Sequence, residues 1–522
     1  MYFHLTLKKK IERVEKKMEI VLMLLNISLA EFLRYISTSI LIQKQEKTMA
    51  KKQKVITRLK PIPYTLVDLS TSLREPQFSP TLVINNGQTN IQLFSTPDLP
   101  NNKRGFKYIS CRPNPYLDSL LYSTTDLPPY HVHWSYFDRS PEMFVDEKMT
   151  TVGTRDNDGW RSTRANVGIR EGTWYIEYKI INGISDKEIT ETDNESPASH
   201  GLDEISRSVT PMHNSNMNSS AHVRMGIARR EAALEAPVGF DGYGYAIRDI
   251  NCEKIHLSRR SEIKVKNNSN NDEIFNEDLK IGDIIGILVE LPSMDIQKKI
   301  ASAMISERVL SDPKNMDENV NDKLLQNSFI EKGIEREMIP IKYKSELFFE
   351  EYEYTGSHTM EHLLNPVTVF GEHAIPDKER FQPAKLPNSS ITLYVNGEKK
   401  GIPFENLYAF LPPASEQRMA RTGGGKVLQN KKSQDTFIID NDDGELGYYP
   451  MVSCFRGGAI KINSGNDVWK LPNDLKEKFN NGLVKSYGDR IKSHTVEEYI
   501  ADVIDNAVNK YLDKKELSLI NM

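Results

Sequence analysis

Cysteine is scarce in this sequence: its 522 residues include only Cys111, Cys252 and Cys454. They show no C-x-x-C spacing, so the pattern predicts neither a zinc site nor a disulfide framework, and it favours a reducing, intracellular compartment. A large excess of either charge is also missing, because the net charge at pH 7 is −4. The molecule as a whole is therefore no counter-ion for nucleic acid, and any basic site must be local.

Long apolar runs are missing as well. Residues 20–29 are almost entirely apolar, but Glu31 and Arg34 follow, and a membrane-spanning helix needs about 20 apolar residues. A secretory signal is disfavoured because acidic residues precede the run and no A-x-A site follows it. We therefore expect no membrane segment, and we expect residues 1–60 to be a leader, disordered or helical, with Met49 as an alternative start codon.

The motifs of enzymes and metal centres are absent too. His131 and His133 share one side of a predicted strand, but no further ligands follow at a usable spacing. The run from Gly423 to Lys426 lacks the G-x-x-x-x-G-K-[ST] spacing of a phosphate loop, and no G-x-S-x-G elbow occurs. The sequence predicts no metal, no cofactor and no catalytic group.

Many short strands dominate the rest of the chain. The stretch "GTWYIEYKI" alternates, which predicts a strand with one buried face. That face is formed by Trp174, Ile176, Tyr178 and Ile180. The stretch "IGDIIGILVEL" is nearly all apolar and predicts a central strand, and the pair Asn396-Gly397 predicts a hairpin. Short antiparallel strands with turn residues between them predict an all-β fold, a β-sandwich.

The places where this pattern begins, breaks and ends define the predicted segments. They are an irregular lead-in at 61–130 that packs on the sandwich, a sandwich domain at 131–465 with insertions near 186–220, 300–340 and 414–444, a linker at 466–493 and a helix at 494–516.

Arginines lie beside aromatic residues at several predicted turns and strands. Arg224 falls in one strand, the next turn and strand contain Pro237, Phe240 and Arg248, and Trp160 precedes another strand. Such a group suits a bidentate grip on carboxylate or phosphate beside a hydrophobic wall, at one concave end of the sandwich. The alternative is a set of edge-strand arginines stacked on aromatic rings without a ligand.

The C-terminal residues change to a helical period. One apolar stripe is formed by Val496, Ile500, Val503, Ile504, Ala507 and Tyr511. Thr495 and Glu498 have the spacing of a capping box, which predicts the start of the helix. Two interpretations stay open: the stripe packs on the chain's own sandwich, or it lies in the groove of a partner.

Three of the predicted strand regions resemble a known family. "GWRSTRANVGIREGTWYIEYKI", "RMGIARREAALEAPVGFDGYGYAIRD" and "GDIIGILVELP" are similar to SPRY domains. With the terminal "IADVIDNAV" they resemble the SPRY-domain subunits of the COMPASS histone methyltransferase complex, the family of the yeast brefeldin-A-sensitivity protein and the animal absent, small or homeotic discs protein. The resemblance runs from about His131 to Gly465 and continues in the helix.

The resemblance implies a nuclear, non-catalytic scaffold of the complex that methylates histone H3 at lysine four. It implies that the SPRY face holds an acidic segment of the WD-repeat subunit through Trp160, Arg224, Pro237, Phe240 and Arg248. Phe240 stands where animal members usually carry tyrosine, so a hydroxyl contact is not implied there.

The resemblance also implies that the helix docks in the four-helix bundle of the dimeric dumpy-thirty-type subunit. Its implied anchors are Ile500, Val503, Ile504 and Ala507. The SET-domain catalytic subunit is a further implied partner. The N-terminal PHD-like and winged-helix region of animal members is not carried over, because its Cys/His pattern is missing here.

Two other function classes remain as alternatives. A SPRY-type adaptor in ubiquitin ligation would need a RING, B-box or SOCS-box segment, but three cysteines exclude a RING and no SOCS-like pattern follows the strands. An enzyme with an unrecognised site is the other alternative. The lysines at 8–10 and 51–54 are typical of solvated disorder, with DNA contact near a nucleosome or nuclear import as the alternative.

Overall fold

The computed structural model describes residues 60–73, 76–85, 90–96, 106–184, 221–265, 273–311, 334–336, 338–352, 354–364, 383–412, 416–418, 436–438 and 442–520. Nearly all of the predicted leader and the whole predicted insertion near 186–220 lie outside these residues. Most of the residues near 414–444, and more than half of those near 300–340, lie outside them as well.

Strands make up most of the described chain. In chain order they begin with β1 (Ser79–Asn85), β2 (Asn90–Ser95), β3 (Phe106–Pro113), β4 (Tyr122–Thr124), β5 (Trp134–Arg139), β6 (Phe144–Val145), β7 (Thr151–Gly153), β8 (Arg161–Ala165), β9 (Gly172–Asn182), β10 (His222–Ala228), β11 (Gly244–Arg248), β12 (Lys254–His256) and β13 (Arg259–Ser261). They continue with β14 (Ile263–Val265), β15 (Glu273–Phe275), β16 (Ile284–Leu291), β17 (Ile339–Tyr343), β18 (Glu346–Tyr352), β19 (Ser390–Val395), β20 (Glu398–Glu405), β21 (Glu416–Arg418), β22 (Thr436–Ile438), β23 (Tyr449–Phe455), β24 (Ala459–Ile462) and β25 (Lys485–Ser486).

Helices are fewer. The α-helices are α1 (Leu66–Ser70), α2 (Met294–Ser311), α3 (His358–Glu361), α4 (Lys476–Asn480) and α5 (Arg490–Ile520). Short 3-10 turns occur at Ile250–Cys252, His362–Leu364, Asn473–Leu475 and Tyr487–Asp489. Among the described helices, none is both long and apolar enough to cross a membrane.

Two large sheets form a sandwich. Sheet 1 has the strand order β1-β2-β6-β7-β24-β9-β16-β19-β20, with the short β25 parallel to β9. Sheet 2 has the order β13-β12-β11-β10-β23-β8-β5 and is antiparallel in each described pairing. A smaller sheet, β17-β18-β3-β4, and two ribbons, β14-β15 and β21-β22, complete the strand set of the described residues.

The main core fills the space between sheets 1 and 2. The Tyr178 hydroxyl of β9 donates to the Gly226 carbonyl of β10 at 2.7 Å, and the Tyr178 ring stacks on Trp134 of β5 with centroids 6.5 Å apart. Val223, Met225 and Ile227 of β10 are fully buried and belong to the same core cluster. The predicted all-β sandwich with a C-terminal helix is thus confirmed.

Two local predictions are also confirmed. Strand β16 lies between β9 and β19 in the interior of sheet 1, as its apolar run predicted. Asn396 and Gly397 connect β19 to β20 with φ of 53° and 87°, the left-handed conformation that this two-residue hairpin requires.

Strand β9 differs from its prediction on one face. Its predicted core residues are buried, but Tyr175 and Glu177 on the other face are each only 2% exposed. The segment after β24 covers them, and the Glu177 carboxylate accepts hydrogen bonds from the backbone N–H groups of Trp469 at 2.6 Å and Lys470 at 2.8 Å. The prediction of a single buried face was wrong because that cover arrives from about 290 residues further along the chain.

Helix α5 begins earlier than the capping box predicted. Thr495 lies inside the helix, where its hydroxyl donates to the Ile491 carbonyl at 2.9 Å, a bond typical of an interior threonine. Glu498 is engaged by other residues instead of by the Thr495 backbone. The helix continues upstream to Arg490, whose guanidinium donates to the Gly168 carbonyl at 2.8 Å and pairs with Glu497.

Candidate partner-docking sites

The two predicted arginines of the sandwich lie side by side on sheet 2. Arg224 of β10 is directly opposite Arg248 of β11 in the strand register, so both side chains leave the same face. Val223 and Met225 point into the sandwich, and because strand side chains alternate, the arginines lie on the outer face of sheet 2. The sequence predicts a concave end of the sandwich for them, and the structure places them on this face.

Trp160 adds an aromatic plate to the pair. The Arg224 guanidinium lies over the Trp160 ring, 4.6 Å from its centroid. Trp160 is half-buried and directly precedes β8, whose residue Ser162 lies in the same row as Ser453 and Arg224. A guanidinium held flat on an indole keeps its charge and gains a fixed orientation.

A tight turn places Pro237 and Phe240 over the same face. The Phe240 N–H donates to the Pro237 carbonyl at 3.0 Å, and Gly239 between them has φ of 82°, which glycine adopts without strain. The Val238 N–H donates to the Ser453 hydroxyl at 2.8 Å, so the turn lies against the row that contains Arg224. At the end of the turn, the Phe240 side chain is 42% exposed.

Asp241 secures this turn. Its carboxylate accepts hydrogen bonds from the Tyr243 N–H at 2.9 Å and the Ala233 N–H at 3.4 Å, which closes the loop that carries Pro237 and Phe240. Burial raises the pKa of Asp241 to about 6, although both backbone donors favour the charged form.

Two residues that the sequence pattern does not indicate, His222 and Phe455, belong to the same surface. The Phe455 ring of β23 lies 5.2 Å from Trp160, and the His222 ring of β10 stacks against Phe455 at 6.3 Å. His222 is opposite Phe455 in the register, two residues before Arg224 and on the same face. Because side chains alternate along a strand, "HVR" predicts that His222 lies on the same face as Arg224. The position of Phe455 can be predicted only if the pairing of β10 with β23 is known.

One carboxylate already contacts the arginine pair. Arg248 is 6% exposed, and its Nη1 donates to Glu253 Oε2 at 3.1 Å. Asp249 is paired with His222, with 3.1 Å between Oδ2 and Nδ1. The surface formed by Trp160, Arg224, Pro237, Phe240 and Arg248, which we name the arginine surface, therefore already holds one carboxylate at its edge.

Helix α5 carries the second predicted site. At about 100° per residue, the six predicted anchors share one side of the helix. All six are partly exposed, and in the part of the chain that the structure describes none belongs to a buried core cluster. Asp502 and Asn506, at 7% and 8% exposure, lie on the opposite side. The helix therefore buries polar residues against its own chain and leaves its apolar stripe out of the core.

Groups that resemble metal ligands are already balanced by other contacts. Glu445, His494 and Glu498 have ligand atoms within 4.8 Å of one another, but Arg230 pairs with Glu445 and Arg336 with Glu498. Both carboxylates are thus already paired with arginine. Burial lowers the pKa of His133 to about 3, with a smaller effect of His131, so the His133 ring is neutral at physiological pH.

Comparison with known proteins gives the relationship of the chain. It is 34% identical over 445 residues to the COMPASS component cclA of Colletotrichum higginsianum, which covers 80% of this chain and 68% of that protein. It is 30% identical over 469 residues to the COMPASS component BRE2 of Saccharomyces cerevisiae, covering 80% of this chain and 89% of that protein. It spans 59% of the length of cclA from Aspergillus fumigatus, at 32% identity and over 79% of this chain.

Other comparisons add little to this relationship. No protein-family model matches the chain. Among solved structures, the SPRY domain of human HERC1 aligns with 64% of this chain and 99% of that domain, at 9% identity and a TM-score of 0.25. The fold assignment therefore rests on the two sheets themselves, and the family assignment rests on sequence identity over four-fifths of the chain. This chain belongs to the family of COMPASS components that includes cclA and BRE2.

Proposed function

We propose that this protein is a nuclear, non-catalytic scaffold subunit of a COMPASS complex, which methylates histone H3 at lysine four. It binds an acidic segment of the WD-repeat subunit through the arginine surface and the dimeric dumpy-thirty-type subunit through the stripe of α5. Relatives named as COMPASS and Set1 complex components support the assignment to such a complex.

The observation that carries the first contact is the pairing of Arg224 with Arg248 beside Trp160. Two guanidiniums on adjacent strands present donors to two neighbouring carboxylates, and charge-assisted hydrogen bonds are stronger than ordinary ones. The indole plate and the Pro237 turn give this site apolar walls. An acidic, extended peptide segment matches both features.

The second contact rests on the stripe of α5. Six apolar side chains on one side of a helix fit the hydrophobic groove of a partner by burial of apolar area. That driving force is insensitive to salt, whereas the charge-assisted contacts of the arginine surface weaken as salt rises. The two proposed contacts can therefore be measured separately on the same protein.

A scaffold with two such sites supports catalysis by positioning. It holds the WD-repeat subunit and the SET-domain catalytic subunit in a competent arrangement, which lowers the entropic cost of reaching the reactive geometry. The protein's own residues supply no catalytic group in this proposal.

The test of the arginine surface is a titration of the WD-repeat subunit into wild-type protein and the double variant Arg224→Ala/Arg248→Ala. Loss of two charge-assisted contacts, each about 1.5–3 kcal/mol, should weaken binding by at least a hundredfold. The control is Lys399→Ala/Lys400→Ala on the edge strand β20, which removes the same charge from the far end of sheet 1. Binding that survives the double arginine variant would refute the assignment of this surface.

For the helix, deletion of residues 494–522 should abolish binding of the dimeric subunit and leave binding of the WD-repeat subunit intact. Loss of the sandwich fold in this deletion would show that the helix as a whole serves the protein's own packing. Wild-type protein that co-purifies with neither subunit would refute the scaffold function as a whole.

A further inference from the structure

One buried arginine attaches the acidic side of helix α5 to the rest of the protein. Arg336 donates through Nε and Nη2 to the Asp505 carboxylate at 2.9 and 2.6 Å, through Nη2 to Asp502 at 2.8 Å and through Nη1 to Glu498 at 3.1 Å. Its side chain is 6% exposed. The planar guanidinium fork allows one residue to bind carboxylates on two successive turns of the helix.

Electrostatic attraction stabilises the contact between Arg336 and the acidic residues of α5. Burial alone would lower the pKa of Arg336, but Asp505, Glu498 and Asp502 raise it above its usual value, so the group stays charged. Burial raises the pKa of Asp505, and Arg336 opposes that rise. Since three acidic side chains share one cation, removal of the cation would leave several partly buried carboxylates uncompensated.

Further polar contacts join the same helix to the rest of the protein. The Asn506 amide oxygen accepts hydrogen bonds from the backbone N–H groups of Ser119 at 2.8 Å and Leu120 at 3.0 Å. The Thr124 hydroxyl donates to Glu498 at 2.9 Å, and Lys510 pairs with Asp118 at 2.7 Å. The segment 118–124 and Arg336 thus hold the helix over several turns.

The stripe proposed for docking lies on the opposite side of the helix. At about 100° per residue, Ile500, Ile504, Ala507 and Tyr511 fall roughly 140–180° away from Asp502, and Val496 and Val503 fall roughly 100–120° away. A partner that covers the stripe would therefore leave the contacts of Arg336 in place. The amphipathic helix is inverted relative to an ordinary surface helix, which turns its apolar side inward.

We propose that Arg336 is a positioning residue for partner docking, because it presents α5 to the dimeric subunit already folded and in one orientation. This inference rests on the helix contact proposed above. Isolated helices are only marginally stable in water. If α5 had to fold during binding, the free-energy cost of folding it would lower its affinity for the partner. The contacts of Arg336 with Glu498, Asp502 and Asp505, which we name the clamp, remove this cost before binding.

The experiment compares the full-length wild-type chain with Arg336→Gln, which removes the cation and keeps a polar side chain of similar shape. Hydrogen exchange of the amides of residues 496–512 in the free protein reports the clamp. Titration with the purified dimeric subunit reports docking, and titration with the WD-repeat subunit reports the integrity of the sandwich. The control is Lys342→Gln, which breaks a single pair with Asp68 formed by a lysine that is 54% exposed.

For Arg336→Gln we expect exchange in α5 to accelerate and affinity for the dimeric subunit to fall about tenfold or more, with WD-repeat binding unchanged. Asn506→Ala, which removes the acceptor for Ser119 and Leu120, should shift both readouts in the same direction by a smaller factor, about threefold. Lys342→Gln should shift neither.

Unchanged affinity in both variants, despite faster exchange, would overturn the positioning role and leave the docking function standing. Unchanged exchange would overturn the clamp itself. If wild-type protein fails to bind the dimeric subunit, the proposed helix contact and the positioning role fall together, and the exchange data still show whether Arg336 holds the helix. If Arg336→Gln also loses WD-repeat binding, Arg336 serves the whole fold and the specific role is refuted.

Discussion

Trp160 and Arg224 should act as one unit in binding. The guanidinium lies 4.6 Å from the indole centroid, and a partly desolvated cation–π contact of this kind is worth about 0.5–2 kcal/mol. Trp160→Ala removes the indole ring on which the Arg224 guanidinium stacks. Arg224→Ala removes the same stacking contact and, in addition, a charge-assisted contact of about 1.5–3 kcal/mol. In a double-mutant cycle on affinity for the WD-repeat subunit, we expect a coupling of about 1 kcal/mol, or a fivefold non-additivity in Kd.

The assay is calorimetric titration of that subunit into the wild type, both single variants and the double variant at one salt concentration. A second cycle of Trp160→Ala with Lys399→Ala provides the control, because Lys399 lies on the edge strand of the other sheet and should be additive with Trp160. Additivity of the Trp160 and Arg224 effects within about 0.3 kcal/mol would refute the reasoning, since it would show that the contact seen in the free protein contributes nothing to recognition.

Three further predictions concern acidic residues, two at the arginine surface and one on β9. Glu253→Gln should tighten binding of the acidic segment about two- to fivefold in the same titration, because Glu253 competes for Arg248, and an unchanged Kd would show that it does not. For Asp241 the folded pKa of about 6 lies above the usual value of 3.8 for an aspartate, so its contribution to stability is present below pH 4 and is lost as the pH rises to about 6. Asp241→Asn should therefore flatten the pH dependence of the free energy of unfolding between pH 4 and 6, and an unaltered slope would contradict this assignment. Glu177→Gln should lower the free energy of unfolding by about 2–3 kcal/mol in urea titrations, because it removes a buried anion that accepts from Trp469 and Lys470, and a loss below about 0.5 kcal/mol would contradict it.

Local patterns sufficed where neighbouring residues decide the structure. The Asn396-Gly397 pair carries its own turn preference, and the apolar run of β16 reflects cover on both faces, so both were predictable without any partner strand. The same alternation separates Val223 and Met225, which face the core, from Arg224, which leaves the sheet on the other face. The face on which Arg224 lies can thus be predicted from its own strand alone.

Contacts across long sequence separations could not be predicted in the same way. Phe455 meets Trp160 only because β23 pairs with β8 on one side and β10 on the other. Glu177 is buried because residues near Trp469 return to cover it. The capping box at Thr495 failed for a related reason, since Arg490 is bound by Gly168, far away in the chain, and extends the helix upstream of its local start signal. In each case the local sequence pattern carried no information about the distant partner.

The two proposed docking sites use different forces, and this separation has a structural cause. Sheet 2 packs its inner face in the sandwich core and part of its outer face in a second apolar cluster, and the proposed contact on the remaining outer face is made by Arg224 and Arg248 through charge. Helix α5 does the reverse, because Arg336 and Asn506 satisfy its polar side internally and its apolar stripe stays out of the described core. A rise in salt should therefore release the WD-repeat subunit before the dimeric subunit. Release in the opposite order would show that charge governs the helix contact, and that the acidic side of α5, not its stripe, meets the partner.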